Sequence, residues 1–171
     1  MQDELKAIQK RVGTTFIHVT HDQDEAMAIA DKIIVMNQGR IEDMGTPDAV
    51  YLKPASIFSA GFMGEINFLS GHLKKSTEQQ CIVSTPLGDL TLPKTATIKT
   101  ALTPNDPVKV CIRPEHFRIE RSASTIDFGS AKIKGMAFFG THRRCHLSPA
   151  ADPGTTLIAH LPQSDNINSG E

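Results

Sequence analysis

The sequence predicts an α/β fold over about residues 1–65, followed by an all-β barrel or sandwich over residues 66–171. Helices and short apolar strands alternate in the first part, whereas the second part holds many short alternating runs separated by turn residues. The balance of acidic and basic side chains also differs between the two parts. Residues 1–65 carry 6 basic and 10 acidic side chains, and residues 66–171 carry 12 and 9. We therefore expect two domains that meet near residue 65.

The first part opens with a predicted helix, a stop and a predicted strand. Leu5, Ile8 and Val12 recur at helical spacing, and Gly13 follows them where the C-terminal end of a helix favours glycine. Residues 14–20 are β-branched and apolar, so they predict a buried strand of a parallel sheet.

A second helix is predicted directly after this strand. Asp22, with Glu25 three residues later, has the spacing of a capping box and predicts a helix that runs to about Ala30. The elements expected next are a strand at 32–36, a tight turn at 37–39 into another strand, and helices that begin at 46 and 55.

The second part is predicted to contain only strands. Prolines and glycines separate its short apolar runs, as in small barrels and sandwiches. The runs lie at residues 68–69, 72–73, 81–83, 90–92, 108–112, 117–119, 131–139, 145–147 and 156–161.

Composition excludes several classes of function. The net charge of −1 argues against general binding to nucleic acids or membrane surfaces. Tryptophan is absent and aromatics make up 5% of the chain, which argues against stacking platforms for single-stranded nucleic acid. No run approaches the roughly 18 apolar residues of a membrane span, and the acidic start of the chain is unlike a signal peptide. Three widely spaced cysteines indicate free thiols in a reducing compartment.

His21 is the first candidate for a functional residue. It follows the predicted strand at 14–20, and open α/β sheets bind ligands at the carboxyl ends of their strands. There an imidazole N–H can donate to a phosphate oxygen. From geometry alone, a partnered surface histidine is the ordinary alternative.

The residues around His21 resemble a known family. The run at 19–26, VTHDQDEA, is similar to the switch motif (H-loop) of ABC-transporter ATPases. Residues 30–41 resemble the following strand and hairpin of that family, in the subfamily that imports polyamines, sugars and iron. The tail of that domain is matched by residues 45–47, Tyr51, Pro54 and residues 62–68. The resemblance implies that residues 1–65 are the C-terminal part of an ABC nucleotide-binding domain.

This resemblance implies a role for His21 and a set of partners. In the full-length protein, His21 would contact the γ-phosphate of ATP and help to orient the attacking water, with ATP and Mg²⁺ as cofactors. The partners would be transmembrane permease subunits and a second ATPase subunit, at the inner face of the cell membrane. Asp22 and Glu25 are interpreted as helix-capping residues.

Residues 66–171 resemble the transport-associated OB-like (TOBE) domain of the same importers. Arg113-Pro114-Glu115 is similar to the Arg-Pro-Glu signature of that domain, and Phe138-Phe139-Gly140 to its later aromatic–glycine step. The resemblance implies a regulatory domain, a homodimer and an OB-like barrel. Arg113 and Glu115 are expected to flank a proline-fixed turn as an ion pair. Relatives continue beyond the position of Gly170, so we expect the barrel to lack its last strand.

Several motifs of an ABC ATPase are not in this sequence. None of the 12 glycines precedes a lysine, so there is no Gly-Lys-Ser/Thr phosphate loop. The Asp-Glu end of a Walker B strand and the ABC signature are missing too. Phosphoryl transfer depends on these groups. We therefore expect the isolated chain neither to hydrolyse ATP nor to hold a cofactor.

The cluster from His142 to His146 is a second candidate site. Two histidines and Cys145 lie close enough in sequence to suggest zinc, but in a strand Cys145 would point away from both. A basic strand surface is the preferred interpretation, and an anion site remains an alternative. Two other functions are alternatives for the whole chain: a stand-alone OB-like sensor of small ligands or anions, and an OB-fold nucleic-acid binder, which composition disfavours.

Overall fold

The computed structural model describes residues 2–94, 101–120 and 125–164, with side chains from residue 4 onwards. The chain divides into two compact units, residues 1–64 and 65–171. The expected loss of a closing strand after residue 164 lies outside the described residues. Within the described ranges, no helix is long and apolar enough to cross a membrane.

The first unit contains four helices and one hairpin. The first helix is followed by Gly13, whose φ of +68° and N–H bond to the Gln9 carbonyl (2.9 Å) end the helix as predicted. The elements are α1 (Gln2–Val12), α2 (Gln23–Ile29), β1 (Ile33–Asn37), β2 (Arg40–Gly45), α3 (Pro47–Leu52) and α4 (Ile57–Phe62).

The hairpin between β1 and β2 confirms the predicted tight turn. Gln38 and Gly39 both have positive φ, +47° and +77°, which is the geometry of a type I′ turn. The two strands pair antiparallel. The inward side chains of β1, Ile33 and Val35, form a core with Val50 and Met63.

The strand predicted at residues 14–20 is wrong for this structure. These residues form neither helix nor strand, and the side chains of Ile17 and Val19 are 89% and 91% exposed. The sequence has strand propensity, but a strand needs neighbours that accept its backbone hydrogen bonds. No strand in the described part of the chain pairs with this segment. The α/β ATPase fold of the first part therefore stays a prediction.

The second unit is built from two antiparallel sheets. The strands are β3 (Asn67–Ser76), β4 (Gln80–Thr85), β5 (Gly88–Pro93), β6 (Pro107–Ile112), β7 (Ala131–Phe138), β8 (Arg143–Pro149) and β9 (Leu157–Leu161). The four-stranded sheet has the order β5-β4-β3-β6, and the three-stranded sheet has the order β7-β8-β9. This confirms the β-rich character that was predicted.

The core of the second unit follows from strict alternation. In β3 every second residue faces inward, so Leu69 and Leu73 are buried among residues of β4, β5 and β6. Leu157 of β9 belongs to the same buried cluster, which joins the two sheets. Cys81 and Cys145 are buried free thiols, and Cys111 is exposed.

Two expectations for the second unit need correction. The sheets are open rather than a closed barrel, because in the described residues β5 and β6 end one sheet and β7 and β9 end the other. The strand expected at 117–119 is absent. Phe117 follows a 3-10 turn, Pro114–His116, and its ring packs toward Phe128 with centroids 5.9 Å apart instead of joining a ladder.

Candidate functional site

His21 lies exposed, one residue before the N-cap of α2. Its position is set by two local hydrogen bonds. Asp22 N–H donates to Thr20 Oγ1 (3.0 Å), and Glu25 N–H donates to Asp22 Oδ1 (3.0 Å). Asp22 therefore caps the helix. In a reciprocal capping box the Glu25 side chain would accept from the Asp22 N–H, but here Thr20 Oγ1 is the acceptor. The imidazole is exposed to solvent beside this hydrogen-bonded turn.

The Glu25 side chain contacts His18 instead of the helix cap. The distance between His18 Nε2 and Glu25 Oε2 is 3.2 Å. This hydrogen bond, with a second from Thr20, holds the pKa of the Glu25 carboxyl below its usual value. Sequence reasoning did not select His18, since the only signal was a spacing of seven residues across a predicted strand end.

Arg113, Pro114 and Glu115 lie at the end of β6. Pro114 is buried and begins the 3-10 turn, as expected for a proline-fixed turn. Arg113 is also buried, and its Nη1 donates to the carbonyl of Glu65 at 3.3 Å. The ion pair between Arg113 and Glu115 stays a prediction.

Gly140 lies between β7 and β8 with a φ of +77°, and no atom lies near the position of an added Cβ. Its backbone conformation is therefore the reason for glycine at this position.

The zinc interpretation of residues 142–146 finds no support in the geometry. His142 precedes β8, and its ring stacks on Phe139 and lies 4.0 Å from that of His160. Burial lowers the pKa of the His142 imidazole, and the neighbouring His160 lowers it further. Cys145 is fully buried. Among the described residues, no group of three His, Cys, Asp or Glu side chains is placed to hold a metal ion.

Glu65 is a residue that the site predictions missed. Its carboxylate is bound by Arg144 of β8 and His160 of β9, and Arg144 above all lowers the pKa of this carboxyl. Its partners are 79 and 95 residues away in sequence. Contacts at such separations give no local signal in a single sequence.

The second unit also contains an open cavity of about 770 Å³. Its walls include Val110, Phe117, Phe128 and Leu147, with His116 and Arg118 among the polar lining residues. Arg118 Nη1 already donates to the backbone carbonyls of residues 115 and 117. The cavity is therefore mainly an apolar recess, and Arg118 on its lining is tied to the backbone through Nη1.

The predicted site residues thus fall into two groups. His21, Asp22 and Glu25 lie together in the first unit. Arg113, Pro114 and Glu115 lie together in the second, where Gly140 is on a separate hairpin. The geometry at His21 can offer one hydrogen bond to an anion.

Comparison with known proteins identifies a class of similar chains: ATP-binding proteins of importers. No family model matches the chain. The chain is 42% identical over 122 residues to the spermidine/putrescine import ATP-binding protein PotA of Lawsonia intracellularis (strain PHE/MN1-00), covering 70% of this chain and 32% of that protein. It is 40% identical over 120 residues to the proteins of the same name from Escherichia coli (strain K12) and Shigella boydii serotype 4, covering 70% of this chain and 31% of each. The chain spans about a third of the length of the curated relatives it matches.

Proposed function

We propose that this chain is a C-terminal part of the ATP-binding subunit of an ABC importer, which couples ATP hydrolysis to solute uptake. The observation that carries the proposal is the identity of 40–42% over 70% of the chain to spermidine/putrescine import ATP-binding proteins. The names of these relatives make polyamines the first class of solute to test. A stand-alone sensor of small ligands is not favoured, because these relatives are import ATP-binding proteins.

His21 is assigned the role of the switch histidine in that subunit. An exposed imidazole beside the capped start of α2 can donate to the γ-phosphate of ATP and orient the attacking water. Mg²⁺ and a phosphate loop would neutralise the remaining negative charge of the ATP phosphates. The sequence holds no Gly-Lys pair for such a loop, so residues outside this chain must supply it, and the chain alone is inactive.

The exposed segment at residues 14–20 supports this assignment. Ile17 and Val19 both leave most of their apolar surface in water. Burial of each side chain would stabilise the folded state by about 1.5–3 kcal/mol. A sheet contributed by the rest of an ATPase domain would bury both side chains and satisfy the backbone. In that setting, His21 stands at the carboxyl end of a strand.

The second unit is assigned to the regulatory TOBE-like role. In this proposal it supports a homodimer of ATP-binding subunits, which assemble with permease subunits at the cytoplasmic face of the membrane. The exposed aromatic tip of the β7–β8 hairpin, with Phe138 and Phe139 at 69% and 58% exposure, offers surface for such contacts.

A chimera tests the proposal. Residues of this chain replace the aligned third of the E. coli relative, and ATP turnover is measured for the chimera, for that relative and for this chain alone. We expect turnover by the chimera within about tenfold of the relative and none by the chain alone. A folded chimera without turnover, beside an active relative, would refute the proposal.

A further inference from the structure

The tip of the β7–β8 hairpin, residues 139–142, is held together by its own contacts. The Phe139 N–H donates to the carbonyl of His142, and the Thr141 N–H donates to the carbonyl of Phe139, both at 2.9 Å. The Thr141 hydroxyl lies 3.0 Å from Nδ1 of His142. The rings of Phe139 and His142 stack, with centroids 5.6 Å apart and planes 6° from parallel. A displacement of one ring therefore displaces the other.

Strand β9 contacts this tip through a second imidazole. The ring centroids of His142 and His160 lie 4.0 Å apart, with 31° between the planes. The His160 side chain is 21% exposed. Just beyond β9, Nε2 of Gln163 donates to the carbonyl of Gly140 in the tip. The tip is thus joined to β9 by a ring pair that can carry charge and by an amide bond that cannot.

The charges around the ring pair favour a proton on one ring more than on both. The ionisable side chains around the pair include Glu65, Arg113, Glu115, Arg143, Arg144 and His146. Glu65 Oε2 lies 3.2 Å from His160 Nε2, so a proton on His160 can bond to a carboxylate. A second proton, on His142, meets the positive charge of His160 across the 4.0 Å between the rings.

We propose that His142 and His160 form a pH-sensitive latch between the hairpin tip and β9. The latch is closed while at least one of the two imidazoles is neutral. It opens when both are protonated, because two positive rings at this separation repel each other. Phe139, whose side chain is 58% exposed, moves with the tip, so the latch sets where this aromatic ring is presented to solvent.

The direction of the pH response follows from the protons bound in each state. In the closed latch, burial and the neighbouring His160 hold the pKa of His142 below its ordinary value of 6.5. The closed state therefore binds fewer protons than the open state, so the latch is most stable above this pH and loses stability as the pH falls below 6.5. Phe139 attracts a positive His142 ring, but it belongs to the same tip, so this attraction is present in both states.

A pH titration of the full chain by NMR tests the latch. The signal is the nuclear Overhauser cross-peak between the ring protons of His142 and His160. We expect this cross-peak at about pH 7.5 and a loss of about nine-tenths of its intensity at about pH 5, with recovery when the pH is raised again. An equal intensity at both pH values would overturn the proposal.

His146→Gln is the matched control for the titration. His146 is on β8, and its Nε2 lies 2.7 Å from Nη1 of Arg144. A glutamine keeps an acceptor for that guanidinium and removes one titrating ring from the same sheet. The cross-peak is expected to disappear at low pH in this variant as it does in the unchanged chain. A cross-peak that persists at low pH in His146→Gln would overturn the assignment of the latch to His142 and His160.

His160→Gln separates repulsion between the two rings from a general effect of acid. Glutamine keeps an N–H for Glu65 but carries no charge, so the midpoint at which the His142 ring protons titrate is expected to rise. His146→Gln should leave this midpoint unchanged. A His142 midpoint that does not move in His160→Gln would show that His160 exerts no repulsion, and would overturn the latch. These outcomes do not depend on ATP turnover by the chimera.

Discussion

In both units, hydrogen bonds from single polar side chains link neighbouring elements of secondary structure. Asp43 is the clearest case in the first unit, because its buried carboxylate joins the end of β2 to the start of α4. Its Oδ2 accepts from Ala55 N–H (2.5 Å) and from Ser59 Oγ (2.9 Å), and its Oδ1 accepts from Met44 N–H (2.8 Å). Ser59 is itself fully buried.

Replacement of Asp43 by alanine is expected to destabilise α4. The change leaves a buried serine hydroxyl and backbone N–H groups without acceptors, which costs about 1–3 kcal/mol per unsatisfied group. The measurement is the free energy of opening of α4 amides by hydrogen exchange. Asp31→Ala, at an exposed position, is the control and should change this free energy by less than about 0.5 kcal/mol. Equal effects of the two changes would show that the Asp43 bonds contribute nothing.

At the scale of elements, the close approach of β3 and β4 explains a glycine that the sequence alone left unassigned. Gly71 is buried on the inward face of β3. A Cβ built on it would clash with the carbonyl oxygen of Ser84 and lie 2.9 Å from Val83 Cγ1. Gly135 lies in β7, where an added Cβ meets nothing within 4 Å. The two glycines therefore differ in purpose although both lie in strands.

Gly71→Ala is expected to destabilise the second unit by about 1–3 kcal/mol, because the backbone of β4 must move to admit the methyl group. Gly135→Ala should be neutral or slightly stabilising, since it meets open space and restricts the unfolded chain. Urea unfolding of the second unit, followed by far-UV circular dichroism, measures both. A Gly71→Ala protein as stable as Gly135→Ala would contradict the close approach of the strands.

At the scale of the whole molecule, predictability depended on how local each interaction is. The turn at residues 38–39, the cap at Asp22 and the proline turn at Pro114 depend on neighbours within a few residues, and pattern reasoning found each of them. The segment at 14–20 was misassigned because strand formation depends on partners elsewhere. The bonds of Glu65 and Asn67 join residues 45 to 95 positions apart, which no periodicity reveals.

ATP turnover by the chimera is the decisive test of the proposal that His21 is the switch histidine of a larger ATPase. His21→Ala is expected to lower kcat by about 100-fold or more, because an electrostatic contact to the transferred phosphoryl group is lost. His72→Ala removes another exposed histidine, on β3, and should leave kcat within about twofold. A His21→Ala chimera that turns over ATP as fast as the His72→Ala chimera would show that His21 is not the switch histidine.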